Sequence, residues 1–349
     1  MSHTVTLQAS GKRFEVLPGE TVLEAARRAG LALPYSCLAG VCGSCKATLI
    51  DGACTYPRNP PSALNAAEQM RHQVLLCQAV PTGDITIAAR EVASVADIPR
   101  RRFRVRVAEK TLLGHDVARL HLATAPGEPL RRLAGQYLDV LLDGGRRRAF
   151  SIANAPTRDD DAIELHVRRV AGGKFTEHVF DKMKERDILR FEGPLGVFFL
   201  REESPKPVVL VASGTGFAPI KSLLEDVFHR GLQRPMTLYW GGRRPKDLYL
   251  HALAERWAAE HASFKYVPVI SDALPEDNWQ GRTGFVHRAV MEDFPDLSAH
   301  QVYACGVPIM VDSARADFTA RCRLPEEEFY ADSFTTQADL AQDAAGSPR

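Results

Sequence analysis

A chain of 349 residues is too long for one ordinary hydrophobic core and predicts two or three domains. Its composition, 45% hydrophobic and 25% charged, is that of a globular protein, and a formal net charge of +1 carries no global bias toward nucleic acid or an anionic membrane surface. No apolar run approaches the ~20 residues needed to span a bilayer, and the opening MSHTVTLQASGKRF alternates polar and apolar residues rather than presenting a signal core, so a cytoplasmic protein is expected, with neither nucleic acid nor membrane as a partner.

Residues 3–17 read as a hairpin, HTVTLQA and KRFEVL about Ser10–Gly11, closed by Pro18–Gly19. Thr21 and Glu24 form a T-x-x-E capping box ahead of VLEAARRA, a helix that Gly30 stops. KATLI (46–50) and DITIAA (84–89) are alternating strands, so two hairpins on a short helix would make a compact unit ending near Val92. ASVADIPRR then reads as a linker. From Arg102 to about Leu200, RFRVRV, VARLHL, YLDVLL, RRAFSIA and AIELHVRR alternate with a period of two and are separated by turns such as Asp143–Gly144–Gly145. That pattern predicts a small antiparallel barrel.

From Pro205 the pattern changes. VVLVAS (208–213) is a continuous apolar strand, followed by a helix with Ile220, Leu223, Leu224, Val227 and Phe228 on one face. MTLYWG, a helix near 250–261, FKYVPVIS, a helix near 285–294, VYACG and a helix from Pro308 continue the alternation, which predicts a parallel sheet with flanking helices. The polar tail TTQADLAQDAAGSPR reads as disordered. The expected fold class is therefore α+β multidomain: a first unit over 1–92, an antiparallel β-barrel over 100–202, an α/β parallel-sheet domain over 205–335 and a disordered tail over 336–349.

Seven cysteines, five of them in the first quarter, favour a metal site over a disulfide framework. Cys37-Leu-Ala-Gly-Val-Cys42-Gly-Ser-Cys45 is C-x4-C-x2-C, and Cys77 supplies a distant fourth ligand; this is the spacing of plant-type [2Fe–2S] ferredoxins. Two irons bridged by two sulfides need four soft thiolates, and a tight loop delivers three of them from one side. Gly40 and Gly43, with the small Ala39 and Ser44, let backbone N–H groups reach the sulfurs. The alternative is a structural zinc site with four cysteine ligands, although zinc motifs usually present two C-x2-C knuckles and this chain has one. Cys54 reads as an ordinary buried thiol. Residues 1–92 thus resemble a plant-type ferredoxin domain of β-grasp fold.

Arg148-Ala-Phe150-Ser151 resembles the R-x-Y-[ST] flavin motif of the ferredoxin–NADP reductase superfamily, with phenylalanine in place of tyrosine. An arginine fork suits a pyrophosphate, and an aromatic ring can lie against the flavin. Gly172-Gly173-Lys174-Phe175-Thr176 matches the superfamily's glycine-rich turn at a helix start, which meets the pyrophosphate, and Arg168 precedes it at a position that lines the flavin. Gly214-Thr215-Gly216-Phe217-Ala218-Pro219 follows a strand and opens a helix, as a nucleotide pyrophosphate turn does. Cys305-Gly306-Val307-Pro308-Ile309-Met310 resembles the C-G-x-x-x-M segment near the nicotinamide, and Tyr330-Ala331-Asp332-Ser333-Phe334 resembles the closing stretch whose last aromatic shields the flavin. Gly242-Arg243-Arg244-Pro245-Lys246 follows another strand, where it either meets the adenosine ribose or forms a solvated charged loop.

The resemblance covers residues 3 to 334 and implies an NAD(P)H-dependent iron–sulfur flavoprotein. Electrons would pass from nicotinamide through FAD to a [2Fe–2S] cluster near roughly −400 mV, and then to an acceptor protein. It places Ser151, Cys305 and Phe334 at the reacting centre and implies NADH as donor, with Arg243–Arg244 leaving NADPH open; FAD over FMN rests on it too. Relatives in this order of domains include the reductases that serve oxygenases and the CDP-6-deoxy-Δ3,4-glucoseen reductases of deoxysugar synthesis. ASGTGFAPIKS and LYWGGRRPKDLYL are most like the latter, so the acceptor is expected to be a sugar dehydratase or an oxygenase component. A redox-sensing flavin/iron–sulfur protein is the reading from another class.

Overall fold

The structure, a computed structural model, describes residues 2–35, 37–40, 42–58, 61–89, 91–92, 98–156 and 162–334. Most of the expected linker and all of the expected disordered tail lie outside the described residues. The chain forms two compact units, Met1–Asp97 with Asp332–Arg349, and Ile98–Ala331.

The first unit contains β1 (His3–Leu7), β2 (Arg13–Val16), α1 (Val22–Arg28), β3 (Lys46–Asp51), β4 (Cys54–Thr55), α2 (Ala66–Met70), β5 (Gln73–Leu75), β6 (Val80–Pro81) and β7 (Ile85–Ala88). The predicted hairpin forms, with His3 opposite Val16, and so does the Thr21–Glu24 capping box. The picture of two hairpins needs correction. The sheet runs β2-β1-β7-β3-β5, and its centre is a parallel pair, β1 against β7. Val5, Leu7, Ile85 and Ile87 are all buried, and laying the first and last strands side by side gives them one core, shared with Leu23 and Ala26 of α1. Helix α2 carries a second capping box, between Asn65 and Glu68, that sequence patterning did not predict.

The second unit begins with β8 (Arg101–Leu112), β9 (Val117–Ala123), β10 (Tyr137–Leu141), β11 (Arg147–Ser151), β12 (Ala162–Arg168), α3 (Lys174–Asp181) and β13 (Ile188–Leu195). Their order, β11-β10-β13-β8-β9-β12, is antiparallel throughout, and a bridge between Ile152 and Leu165 joins the two edges into a barrel. Inward positions at every second residue, among them Val105, Val107, Leu120, Leu122, Leu165 and Val167, fill its core.

The chain continues with β14 (Val208–Ser213), α4 (Phe217–His229), β15 (Met236–Gly242), α5 (His251–Glu260), β16 (Phe264–Ile270), β17 (Arg282–Thr283), α6 (Val286–Asp293), β18 (Gln301–Gly306), α7 (Pro308–Arg321) and β19 (Phe329–Ser333). The sheet order is β17-β16-β15-β14-β18-β19, with β14 to β18 parallel wherever they pair. The chain starts at β14, winds outward on one side, then returns to β18 on the other. The switch point therefore lies between the ends of β14 and β18, where such sheets bind ligands. Trp240 points toward the α4–α5 face and stacks on Phe217 at 4.0 Å, while its neighbour Tyr239 points into the core beneath α6 and α7.

On the barrel's outer surface Glu192 of β13 lies 2.8 Å from Arg102, 3.1 Å from Arg147 and 3.2 Å from Arg100. Burial works against its charge, but hydrogen bonds from Arg147 and Arg102 pull its pKa down to about 2. Its stabilisation is complete above the ordinary carboxylate range and is lost as pH falls through that range toward 2. Glu192→Gln should lower the melting temperature at pH 7 by about 2–4 °C, the effect of roughly 1 kcal/mol in a domain of this size. Thermal melts from pH 7 downward should show the gap narrowing below about pH 4.3.

Candidate functional site

The cysteine loop is positioned from α1. The N-terminal amides of that helix have no partner within it; Val22 N–H donates to Ala79 O and Leu23 N–H to Leu76 O, at 2.9 Å each, which fixes the two sides of Cys77. Leu76 N–H in turn donates to Cys45 O at 3.1 Å. Gly40 and Gly43 have φ of +82° and +69°, and a Cβ on Gly40 would sit 2.9 Å from the Gln78 side chain. Ala39 N–H points at Cys37 Sγ (3.4 Å) and Cys37 N–H at Cys42 Sγ (3.5 Å), the N–H to sulfur contacts expected of this loop.

The thiols form two pairs, Cys37 with Cys42 and Cys45 with Cys77. The hydrogen bond from Cys37 pulls Cys42 toward thiolate and pushes Cys37 itself up. Among the described residues no three His, Cys, Asp or Glu side chains are placed to hold a single ion. Two thiol pairs suit two irons that each take two thiolates. Cys54 is half-buried and its thiol is pushed up to about 11 by burial, as an inert thiol would be.

In the barrel, β11 carries Arg148 and Phe150 on one face and the buried Ser151 on the other. The Phe150 ring lies 5.2 Å from Phe175, so the first turn of α3 packs against the R-A-F-S strand. Gly172 N–H and Gly173 N–H are used inside the loop, by Glu177 Oε1 (2.8 Å) and Val170 O (2.9 Å), and Thr176 Oγ1 bonds Val170 and Gly173. The first intrahelical bond runs from Glu177 N–H to Gly173 O, so the amides of Lys174, Phe175 and Thr176 precede it at the positive end of the helix. Arg168, at the end of β12, pairs through Nε with Asp116 at 3.0 Å, while its Nη2 is buried without a hydrogen-bond partner. The guanidinium lies over Gly214, where a Cβ would be 2.6 Å from Nη1, and an orphaned guanidinium nitrogen there fits an anionic group such as a pyrophosphate.

At the switch point two backbone turns meet. A Cβ on Gly216 would lie 2.1 Å from Cys305 O, and one on Gly306 (φ +147°) would lie 2.0 Å from Ser213 Oγ. No side chain fits at either place. Ser213 Oγ also accepts from Val307 N–H at 3.2 Å, which ties the turn after β14 to the turn after β18. The result is a bare backbone cradle at the start of α4, suited to a dinucleotide pyrophosphate. Thr215 lies in this turn and Pro219 in the first turn of α4; Cys305 and Met310 are buried beside it. Phe334 is half-buried one residue past β19. Arg243 follows β15 on an exposed turn, with its amide bonded to Asp247 Oδ2 at 3.0 Å.

Two residues that sequence reading missed, Glu164 and His166, lie on the outside of the barrel beside Arg168, which the sequence had singled out. Glu164, His166 and Arg168 occupy alternate outward positions of β12, yet Glu164 and His166 are buried, 8% and 4% exposed. His166 bonds Tyr249 OH at 2.9 Å and Glu164 at 2.6 Å, and Glu164 also meets Lys221 of α4 at 3.2 Å. Burial lowers the pKa of His166, while hydrogen bonds from His166 and the charge of Lys221 overcome burial at Glu164 and hold it well below the usual carboxylate range. The available signal was three polar side chains at i, i+2 and i+4 of one strand.

Three domain families match the chain: a 2Fe-2S iron-sulfur cluster binding domain over residues 5–82, an oxidoreductase FAD-binding domain over 104–200 and an oxidoreductase NAD-binding domain over 210–316. The chain is 39% identical to the CDP-6-deoxy-L-threo-D-glycero-4-hexulose-3-dehydrase reductase of Yersinia pestis, over 96% of this chain and 99% of that protein. It is 38% identical to reductase component 1 of the terephthalate 1,2-dioxygenase of Comamonas sp, over 96% and 98%. The crystal structure of the Amycolatopsis cytochrome P450 reductase GcoB superposes with a TM-score of 0.74 at 34% identity, covering 96% of this chain and 99% of that one. The fold and site define an NAD(P)H-dependent iron–sulfur flavoprotein oxidoreductase. The chain belongs to the ferredoxin–NADP reductase family, in the group with an N-terminal [2Fe–2S] domain, and carries electrons from nicotinamide through FAD and the cluster to an acceptor protein. Among the described residues no helix is long and apolar enough to cross a membrane.

Replacing one ligand of a thiol pair should separate the two redox levels. Cys42→Ser is expected to lose the iron–sulfur absorbance and its two irons while keeping flavin and NADH–ferricyanide activity within about twofold. Loss of the flavin-level activity together with the cluster would contradict the independence of the two centres.

Proposed function

We propose that NADH is the electron donor, that Arg148, Phe150, Ser151, Arg168 and the turn 172–176 hold FAD, and that Gly214–Gly216, Pro219, Gly306 and Met310 cradle the nicotinamide nucleotide. Ser151, Cys305 and Phe334 are then the side chains at the reacting atoms. FAD held there would supply the conversion that the cluster requires, from a hydride's electron pair to single electrons. The protein's contribution is orientation. Arg148 and Arg168 neutralise pyrophosphate charge, the start of α3 supplies amides, and the apolar faces of Phe150 and Phe334 exclude water. Each domain acts within its own limits, 1–92, 100–202 and 205–335. We place the protein in a reducing, cytoplasmic setting, in which the cluster thiolates stay reduced.

One observation carries the donor assignment. The turn after β15 is where the adenosine ribose of such sheets lies, and Arg244 there is already engaged by Asp277 (2.6 and 2.8 Å) and Glu276 (3.4 Å). The remaining basic residues, Arg243 and Lys246, are exposed, and Asp247 sits within the same turn. Three cations and three carboxylates leave no surplus charge for a 2′-phosphate. Wild-type kcat/KM should therefore favour NADH over NADPH by about tenfold or more, a difference of 1.4 kcal/mol. Asp277→Asn, which frees Arg244, should narrow that ratio, and a wild-type preference for NADPH would refute the assignment. Arg148→Ala should purify with substoichiometric flavin; full flavin content would remove Arg148 from the site.

The acceptor we favour is a dehydrase of a CDP-linked hexulose, by similarity to the Yersinia reductase; an oxygenase component is the second reading, supported by the Comamonas reductase. Supplying the purified protein with NADH and either the Yersinia dehydrase or the terephthalate dioxygenase tests both. Turnover of one at a rate near that of its own reductase identifies the class.

A further inference from the structure

Beneath the nucleotide turn, the barrel and the parallel-sheet domain are joined by a buried polar seam whose residues, Arg168 and Gly214 apart, bind neither cofactor in the assignments above. The outward face of β12 meets the second domain in three steps. Glu164 faces Lys221, His166 faces Tyr249, and the Arg168 guanidinium lies over Gly214, where Nη1 would be 2.6 Å from a Cβ. Because Glu164 can only accept, Nε2 of His166 carries the proton, and Nδ1 accepts from Tyr249 O–H. Lys221 donates to Ala153 O (3.1 Å) and forms ion pairs with Glu164 Oε1 (3.2 Å) and Glu225 Oε1 (2.7 Å). The other oxygen of Glu164 meets His121 Nε2 at 3.2 Å.

Helix α4 extends this grip along the chain that leaves the R-A-F-S strand. Ser222 Oγ donates to Asn154 O at 2.8 Å, and Glu225 Oε2 accepts from Ala155 N–H at 3.2 Å. One face of α4 thus holds residues 153, 154 and 155, directly after the flavin motif, while its N-terminus opens from the nucleotide turn. From the other side Tyr249 packs edge-on against Trp240 at 5.2 Å, and Trp240 Nε1–H donates to Gly214 O at 3.0 Å.

We propose that Glu164, His166, Tyr249 and Lys221 are positioning residues for hydride transfer: through α4 and the Gly214 turn they set the register of the nucleotide domain against the flavin-binding barrel. The proposal rests on the assignment of FAD to the barrel and of NADH to the cradle at Gly214. A displacement of a fraction of an ångström between donor and acceptor carbons lowers the rate of transfer far more than it weakens binding, since none of these four side chains is itself assigned a phosphate contact.

The test uses full-length holoprotein, ferricyanide as acceptor, and two mild variants, Glu164→Gln and Tyr249→Phe. Both should keep full flavin and cluster absorbance. For each, kcat should fall about tenfold or more, KM for NADH should stay within about twofold, and the primary deuterium isotope effect with 4-deuterated NADH should rise. If both variants melt earlier but turn over at wild-type rate with an unchanged isotope effect, the seam is structural glue and the proposal is overturned. A raised KM with unchanged kcat would overturn it as well, by making the seam part of nucleotide binding. Wild-type protein that binds NADH but never bleaches its flavin would instead sink the functional assignment beneath it.

Discussion

At the head of the parallel sheet, the backbones after β14 and β18 approach so closely that neither Gly216 nor Gly306 could carry a methyl group without striking the other turn. That contact is a constraint before it is a binding site. It fixes where α4 begins, because the helix starts within the tight turn, and it fixes the floor of the crevice, because no side chain fills it. The pairing of Val208–Ala212 with Gln301–Cys305 brings the two turns together in register. A slip of one residue would put Val211, now in the α6–α7 core, on the opposite face of the sheet. The cradle is thus held by the hydrophobic core beneath it.

Once the start of α4 is fixed, so is everything along its length. The helix presents Lys221, Ser222 and Glu225 at i, i+1 and i+4, one side of the cylinder, and that side meets the chain leaving β11. The N-terminal unit uses a comparable device on a smaller scale. The capping box of α1 settles Thr21 and Glu24, and the next amides, of Val22 and Leu23, pin the loop on both sides of Cys77. In each place a helix organises a neighbouring loop, α1 through its unsatisfied N-terminal amides and α4 through side chains along one face.

The legibility of these features in sequence follows from their range. The cysteine spacing, the glycine turns and the period of two along the barrel strands are local, and they were enough to point to the proposed cluster ligands, the proposed cradle and the strand positions. The parallel pairing of β1 with β7 joins residues about eighty apart, and nothing local in HTVTL or ITIA distinguishes it from a hairpin. The short helix α2 is only five residues long, below the length at which apolar periodicity can be read. The burial of the outward face of β12 was not legible for a different reason. On an antiparallel barrel the alternation of Leu165 and Val167 with Glu164 and His166 reads as core and solvent, and only the second domain turns that outer face into an interior. Arg244 was visible as a charge, but its neutralisation by Asp277 required a residue thirty-three positions away.

That an inter-domain face should hold a carboxylate, a lysine and a histidine rather than leucines is at first sight a poor choice for stability. Buried ion pairs rarely outperform a well-packed apolar contact, because desolvation consumes most of the Coulomb gain. Their advantage is angular. A leucine seam tolerates sliding by a few tenths of an ångström at little cost, whereas Lys221, held by Ala153 O and two carboxylates, and Glu164, held by two histidines and Lys221, lose hydrogen bonds and ion pairs on any shift and leave charge unpaired in a dry place. The steepness of that penalty, more than its depth, suits a joint between a domain that receives hydride and one that presents it. Hydride transfer depends on distance far more sharply than folding stability does, and a joint made of directional bonds between fixed backbone segments converts the rigidity of two separate cores into one geometry.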